Sequence, residues 1–328
     1  MPDIPASTAE GRPMKTGKRK IGLALGSGAA RGLAHIGVLK AFEEEGIQID
    51  CIAGTSIGAF IGALYAAGVP VEKMEQVASQ VDWRQLARLI DPILPTSGII
   101  DGKKVSRFIS ELLPAKTFEQ LRIPLAVTTT DIETGEALVI KKGNLHEALR
   151  AAIAFPGIFT PVRFFDRFLM DGGLCNPVPV DVVRNLGARS VIGVCAIPAV
   201  MKETSETYLP SRAKRRPGKP FLELLNAERI ESFLREMMGS AATEEDEPRE
   251  GSAHRKPPGI FRIFSQSVAI MENQINALRL EKNQIDLLIR PPLNGINLLE
   301  FHRAAEAIAA GEEATRKVMP KIRKMAGR

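Results

Sequence analysis

One serine of this chain lies in a sequence frame that is typical of nucleophilic serines. Residues 53–60 read AGTSIGAF, which places Ser56 at the centre of a G-x-S-x-G pattern. Such a pattern favours a nucleophile when a strand precedes it and a helix follows it, because the sharp turn then presents the hydroxyl group. Apolar segments flank the pattern on both sides. They fit a nucleophilic serine, and they equally fit a serine that only caps a helix. The other positions of this predicted elbow are Gly54, Thr55, Ile57 and Gly58.

A glycine-rich loop, GSGAARG, follows the first apolar run at residues 21–25. Small residues let backbone N–H groups approach a bound group, and the start of a helix adds further free donors. The loop could bind the phosphates of a dinucleotide. Asp50, about twenty residues later, has the spacing of the carboxylate that binds the ribose in such folds. The loop also suits an oxyanion hole for acyl transfer, which the neighbouring Ser56 favours. The loop positions considered are Gly26, Ser27, Gly28, Ala29, Arg31 and Gly32.

The histidines do not offer Ser56 an evident general base. The chain has four of them. His35 lies inside a predicted helix, where a packed core histidine is the commoner outcome, and His146 and His302 also fall in predicted helices. His254 lies in a charged segment that predicts a flexible loop.

A carboxylate offers another route for the proton of Ser56. The run RFLMDGG places Asp171 at the end of a predicted strand, directly before Gly172 and Gly173. An aspartate with an ordinary pKa of about 3.9 is a weak base, but burial would raise its pKa. From these residues alone, a catalytic base and an ordinary Asp-Gly turn stay equally open.

The three motifs GSGAARG, GTSIG and DGG stand in this order and resemble the patatin-like phospholipase family, in particular its bacterial cytoplasmic members. The segment AAIAFPGIFTPV at residues 151–162 is similar to a further block of that family. The resemblance covers about residues 21–197, and the pattern after about residue 260 is also similar. It implies a serine–aspartate dyad without histidine, with Ser56 as nucleophile and Asp171 as proton acceptor.

The same resemblance implies a lipid acyl hydrolase that acts on phospholipids or other acyl-ester lipids and uses no cofactor and no metal. Arg31 matches the basic position of the family loop, which implies loop anchoring or contact with an anion. Ser27 stands where the family loop often has a glycine. The sequence therefore does not determine which backbone N–H groups form the oxyanion hole. The alternative is a regulatory or adaptor protein with a weak or vestigial site of this kind.

The elements that position these residues alternate between strands and helices. This alternation predicts an α/β fold, a three-layer α/β/α sandwich with a mostly parallel central sheet. The predicted strands cover 21–25, 47–53, 124–131, 136–141, 162–165, 167–170, 190–196 and 285–289. The predicted helices cover 30–45, 57–67, 71–90, 102–113, 144–154, 179–186, about 261–278, 298–310 and 312–325.

The domain organisation follows from shifts in composition. Residues 1–20 predict a disordered basic tail, and residues 21–328 predict one hydrolase domain. Within it, 200–260 is expected to form a partly flexible inserted lobe or lid, and 261–328 to supply the C-terminal helices. On the apolar face of the first of these helices we expect Phe261, Phe264, Val268, Met271, Ile275 and Leu278.

Composition restricts the partners of the chain. Its net charge of +6 is concentrated in residues 12–20 and 212–219. These segments allow peripheral contact with an anionic membrane, whereas nucleic acid is not expected because aromatic residues do not alternate with the basic ones. The apolar run at 21–25 is too short for a signal peptide, and three scattered cysteines fit a reducing compartment. We therefore expect a cytoplasmic protein that reaches the inner membrane surface, and the sequence defines no oligomeric state.

Overall fold

The computed structural model describes residues 20–81, 91, 100–197, 260–293 and 295–328. The described strands are β1 Ile21–Leu25, β2 Cys51–Thr55, β3 Leu125–Asp131, β4 Ala137–Ile140, β5 Val162–Phe164, β6 Arg167–Asp171, β7 Ser190–Val194 and β8 Leu287–Ile289. The described helices are α1 Ala34–Glu44, α2 Ile57–Ala66, α3 Val71–Gln80, α4 Lys103–Leu112, α5 Leu145–Ala152, α6 Val180–Asn185, α7 Ile260–Lys282 and α8 Ala304–Ala326. Short 3-10 turns cover Ala29–Leu33, Phe118–Gln120, Gly172–Leu174 and Phe301–Arg303.

The eight described strands form one mostly parallel sheet. Five of them run parallel in the hydrogen-bonded order β3-β2-β1-β7-β8. The strands β4 and β6 pair antiparallel with β3, and β5 pairs antiparallel with β6. Parallel strands place their carboxyl ends at one edge of the sheet, so the loops after β1 and β2 open on the same side.

Two hydrophobic cores lie on opposite faces of this sheet. On β1, Leu23 and Leu25 belong to the larger core, which α1, α2, α5 and α8 cover. The intervening Ala24 belongs to a smaller core, which α6 covers. Ile52 and Ala53 of β2 divide between the two cores in the same way. Helices therefore cover both faces, and the predicted three-layer α/β/α sandwich is confirmed.

The strands β2 and β6 approach each other end to end along one edge of β3. Val127 and Thr128 pair with both β2 and β4, so these two strands occupy opposite edges of β3. Thr129 and Thr130 pair with both β4 and β6, so β6 also lies opposite β4. The carboxyl ends of β2 and β6 therefore meet beside the centre of β3.

The predicted division of the C-terminal helices at Gly311 is wrong, because α8 runs through that residue without interruption. A Cβ atom built on Gly311 would overlap Ala34 O, and one built on Gly37 would overlap Ile308 O. These two glycines let α1 and α8 pack with their backbones in contact. Gly311 therefore serves close helix packing, not helix termination.

Two element boundaries also differ from prediction. The first helix starts as a 3-10 turn, so α1 begins at Ala34 instead of residue 30. The second strand begins at Cys51 instead of residue 47, and its first paired residue on β1 is Gly22. It then continues to Thr55, directly before the predicted nucleophile.

Several predictions fall on residues outside the described part. These are the basic tail apart from Lys20, the end of the predicted helix 71–90, and nearly all of the predicted lobe at 200–260. The division into domains stays a prediction. Among the described helices, none has both the length and the apolar character that crossing a membrane requires.

Candidate active site

Ser56 occupies the turn between β2 and α2 in a backbone conformation that residues with side chains rarely adopt. Its φ and ψ angles are 56° and −128°. Strain of this kind persists only where the surrounding structure enforces it, and it concentrates at functional sites. A Cβ atom on Gly54 would overlap the backbone of Ala59, and one on Gly58 would overlap Leu25 O. Glycine is therefore required two residues before and two residues after the serine.

The rest of the elbow is tied to the neighbouring loops. Thr55 Oγ1 donates a hydrogen bond of 2.8 Å to Asn176 O, which joins β2 to the loop after β6. The side chain of Ile57 packs against Gly32, where any Cβ atom would overlap it. Since Ser56 is also the N-terminal cap of α2, the positive end of the helix dipole lies beside its side chain.

Asp171 lies directly against the serine. Ser56 Oγ donates a hydrogen bond of 2.5 Å to Asp171 Oδ2, although 115 residues separate them in the chain. The other carboxylate oxygen, Oδ1, accepts a bond of 2.8 Å from the N–H group of Gly173. The backbone of Asp171 is held by a bond from its N–H group to Ala154 O. Both side chains are buried, so Oδ2 is oriented to accept the serine proton.

The two glycines after Asp171 have different neighbours. A Cβ atom on Gly172 would overlap Thr128 O of β3, so this glycine lets the turn pack against the sheet. A Cβ atom on Gly173 would overlap the carboxyl group of Glu272, which belongs to α7. The DGG motif therefore brings the carboxylate close to both the sheet and α7.

The pKa of Asp171 is raised to about 6. Burial is the main cause, since it penalises the charged carboxylate, whereas the hydrogen bonds from Ser56 and Gly173 act in the opposite direction. At neutral pH the group is mostly ionised, yet it is a far better proton acceptor than an exposed aspartate.

The glycine loop contains two backbone N–H groups that have no backbone acceptor among the described residues. The N–H groups of Gly26 and Ser27 donate to Val194 O and Pro177 O, and that of Ala30 donates to Leu298 O. Within the described residues, Gly28 and Ala29 find no such acceptor. Their positive φ angles, 156° and 48°, mark an unusual turn, and both residues line the cavity that contains Ser56. These two N–H groups are therefore the candidate oxyanion donors.

Ser27 and Arg31 also line that cavity. The N–H group of Ser27 is committed to Pro177, so it is not free to act as a donor. Its buried Oγ atom has no hydrogen-bond partner in the described part of the chain. Arg31 Nε donates to Ile296 O at 2.6 Å, a bond that anchors the loop to the C-terminal region.

Asp50 lies away from the glycine loop, at the opposite end of β1. Its Oδ2 accepts a hydrogen bond of 2.8 Å from the N–H group of Ile21, the first residue of that strand. A ribose-binding carboxylate would lie at the carboxyl edge of the sheet. The position of Asp50 therefore removes the support that the sequence offered for a dinucleotide site.

No described histidine lines the cavity. His35 is fully buried, and its Nε2 lies 2.8 Å from Gly26 O. Burial lowers the pKa of His35 to about 4, although the bond to Gly26 acts in the opposite direction. The ring is therefore neutral at pH 7, and Nε2–H donates to a carbonyl of the glycine loop. His146 lies 3.3 Å from Ser110 Oγ at the surface, and His254 falls outside the described residues.

One carboxyl group of the site, Glu272 on α7, lies in a segment where the sequence predicts no site residue. The expected apolar face of this helix is partly wrong, since Met271 and Leu278 are exposed. The buried stripe instead runs through Val268, Glu272 and Asn276. The sequence contains a weak signal for this stripe, because Val268, Glu272 and Asn276 follow one another at four-residue spacing and so share one helix face. A glutamate in a helix, however, usually lies on the solvated face. The cavity residues contributed by segments without a motif are Ile197, Val268, Ala269, Glu272 and Leu298, and Phe155 of the 151–162 segment also lines the cavity.

In the part of the chain that the structure describes, no three histidine, cysteine, aspartate or glutamate side chains are grouped as metal ligands. Fold and site together define an α/β protein with a buried, hydrogen-bonded serine–carboxylate pair in its cavity.

Comparison with known proteins assigns the family. The family model for patatin-like phospholipases matches residues 23–184. An NTE family protein of Mycobacterium tuberculosis is 32% identical over 321 residues, 89% of each chain. Patatin-like phospholipase domain-containing protein 6 of Homo sapiens is 38% identical over 181 residues, 53% of this chain and 13% of that protein. This chain therefore belongs to the patatin-like phospholipase family.

Among solved structures, VipD from Legionella pneumophila aligns with a TM-score of 0.44 and 13% sequence identity. The alignment covers 93% of this chain and 67% of that one. The similarity is too distant to add to the family assignment.

Proposed function

We propose that this protein is a lipid acyl hydrolase that cleaves carboxylic esters with the dyad Ser56–Asp171. The observation that carries the proposal is the buried 2.5 Å hydrogen bond from Ser56 Oγ to Asp171 Oδ2. Membership of the patatin-like phospholipase family supports fatty-acyl esters, such as those of phospholipids, as the substrate class. Contact with a membrane through the basic segments stays a prediction, because those segments lie outside the described residues. A cytoplasmic location also stays a prediction.

The reaction follows from the geometry of the pair. As Ser56 Oγ bonds to the acyl carbon, its proton passes to Asp171 Oδ2 and the carbonyl electron pair moves onto the oxygen. The N–H groups of Gly28 and Ala29 stabilise that oxyanion. When the tetrahedral intermediate collapses, the alcohol leaves with the proton from Asp171, and an acyl-serine remains. Water then gives a proton to Asp171 and attacks the acyl carbon. When this second tetrahedral intermediate collapses, the fatty acid leaves and Ser56 Oγ takes the proton back from Asp171, which restores the serine.

Two further features favour this role for Ser56. The dipole of α2 stabilises negative charge on the serine oxygen as the proton departs. The raised pKa of Asp171 reduces the free-energy cost of moving that proton. A vestigial site would have no reason to retain either the strained backbone at Ser56 or the buried carboxylate. These features support an active hydrolase over a regulatory or adaptor protein.

The direct test compares Ser56→Ala with the wild type on p-nitrophenyl butyrate and on a lysophospholipid. We expect Ser56→Ala to lose essentially all turnover and all labelling by a fluorophosphonate probe. Ser110→Ala is the matched control, because Ser110 is an exposed serine whose described hydrogen bonds are to Ser106 O and His146. Full hydrolysis by Ser56→Ala would disprove the assignment.

A further inference from the structure

Glu272 is a carboxyl group in the active-site cavity that the dyad mechanism does not use. It projects from α7, is 9% exposed, and lines the same cavity as Ser56 and Asp171. A Cβ atom built on Gly173 would overlap Glu272 Oε1 and would lie 3.2 Å from Asp171 Oδ1. The two carboxyl groups are therefore neighbours across Gly173.

The charged and titratable groups that face Glu272 come from three other elements. Asp171 at the end of β6 repels a negative charge on Glu272, and Arg31 of the glycine loop attracts it. Cys195, which follows β7, is a buried thiol whose pKa Glu272 helps to raise. Among the described residues, no hydrogen bond or salt bridge reaches the Glu272 carboxyl group, and the attraction of Arg31 is what offsets its loss of solvent there.

The outcome is an acid that holds its proton in neutral solution. Burial is the largest contribution, repulsion by Asp171 adds to it, and the attraction of Arg31 does not outweigh them, so the pKa of Glu272 is raised to about 8. The pKa of Asp171 is about 6. Between these values one carboxyl group of the pair is ionised and the other is neutral, as neighbouring carboxyl groups in a dry site require.

We propose that Glu272 is an active-site residue that must carry its proton for hydrolysis to proceed. This inference rests on the proposed function. Neutral Glu272 leaves Asp171 as the one ionised carboxyl group of the pair beside Ser56. Ionised Glu272 would add a second negative charge to the cavity in which the oxyanion develops. That charge opposes the tetrahedral intermediate, because electrostatic effects are strong in a site that excludes water.

A bell-shaped dependence of kcat/KM on pH follows. Activity rises as Asp171 ionises near pH 6 and falls as Glu272 ionises near pH 8. Above the second value, a single titrating group reduces the rate about tenfold per pH unit. At pH 9 the wild type is therefore expected to retain about one tenth of its maximal rate.

The test measures kcat/KM from pH 5 to pH 10 with the full chain and p-nitrophenyl butyrate, after subtraction of the Ser56→Ala rate. Glu272→Gln keeps the shape of the side chain but cannot ionise, so we expect its alkaline decline to disappear. Glu281→Gln is the control, since Glu281 is an exposed glutamate on the same helix. Its profile is expected to keep the alkaline decline near pH 8.

A wild-type profile that stays flat from pH 7 to pH 10 would overturn the inference without any variant. An alkaline decline that persists unchanged in Glu272→Gln would also overturn it. Glu272→Met provides a second uncharged variant, and thermal unfolding checks that each variant is folded. These outcomes differ from a failure of the proposed function, in which Ser56→Ala would retain activity at every pH.

Discussion

Replacement of Asp171 by asparagine should stabilise the folded protein at neutral pH while it removes activity. The carboxylate is buried, and its pKa is raised from 3.8 to about 6, mainly because burial penalises its charge. One pKa unit corresponds to about 1.4 kcal/mol, so ionised Asp171 lowers the free energy of unfolding by about 3 kcal/mol. Asparagine has nearly the same shape and carries no charge, so it avoids this cost.

The direction of the pH dependence follows from where the proton is bound. The folded protein keeps the proton of Asp171 up to about pH 6, whereas the unfolded chain releases it near pH 4. Within this window the folded state binds more protons at Asp171, so the contribution of Asp171 to the free energy of unfolding falls as pH rises, and that contribution stays constant above the window. The advantage of Asp171→Asn should therefore grow by about 2 kcal/mol between pH 4 and pH 7, because the unfolded aspartate is already partly ionised at pH 4.

Urea denaturation followed by circular dichroism at pH 4 and pH 7 measures this difference. The exposed Asp166 provides the control, because Asp166→Asn changes the same chemical group without a buried environment. Its effect on stability is expected to be small at both pH values. If the stability of Asp171→Asn relative to the wild type is the same at pH 4 and pH 7, the carboxylate carries no burial cost and the reasoning is refuted.

Three further predictions concern a glycine of the elbow, the histidine that contacts the glycine loop, and the fall of kcat/KM at acidic pH. Gly58→Ala should destabilise the fold by at least ~2 kcal/mol in urea denaturation, since its Cβ would overlap a backbone carbonyl. Gly295→Ala should be near neutral, since its Cβ would meet Arg303 Nη2 at an ordinary contact distance of 3.6 Å. His35→Leu should cost about 1–3 kcal/mol and slow fluorophosphonate labelling, because the Gly26 carbonyl loses its donor, and His35→Gln should restore part of both. Below pH 6, kcat/KM should fall about tenfold per pH unit as Asp171 takes up its proton, and an unchanged rate at pH 4.5 would contradict this.

Local patterns of the sequence predicted the fold class and the elbow. Strands and helices alternate, and this alternation is typical of a parallel sheet that helices cover. The elbow could be recognised because its requirements are local: a strand, a strained serine and two glycines that backbone atoms approach closely. Turn chemistry of this kind is encoded within a few residues, so it is visible in a single sequence.

Other features depended on contacts between distant segments. Gly311 has the appearance of a helix stop, and only the packing of α8 on α1 shows that the helix continues. Asp50 fits the spacing of a ribose ligand, and only the pairing of β1 with β2 places it at the wrong end of the sheet. In both cases the local pattern was ambiguous, and tertiary contacts decided the outcome.

By itself, the sequence determined which residues could do chemistry: a serine in a glycine elbow, a loop with free N–H groups and an aspartate before two glycines. Whether Asp171 was a base or an ordinary turn depended on β2 and β6 meeting along one edge of β3, which brings its carboxylate to the serine. The place of Glu272 in the cavity was decided by the tertiary structure alone. A glutamate in a helix is usually solvated, and it becomes part of the site only because α7 packs over Gly173 and removes water from its carboxyl group.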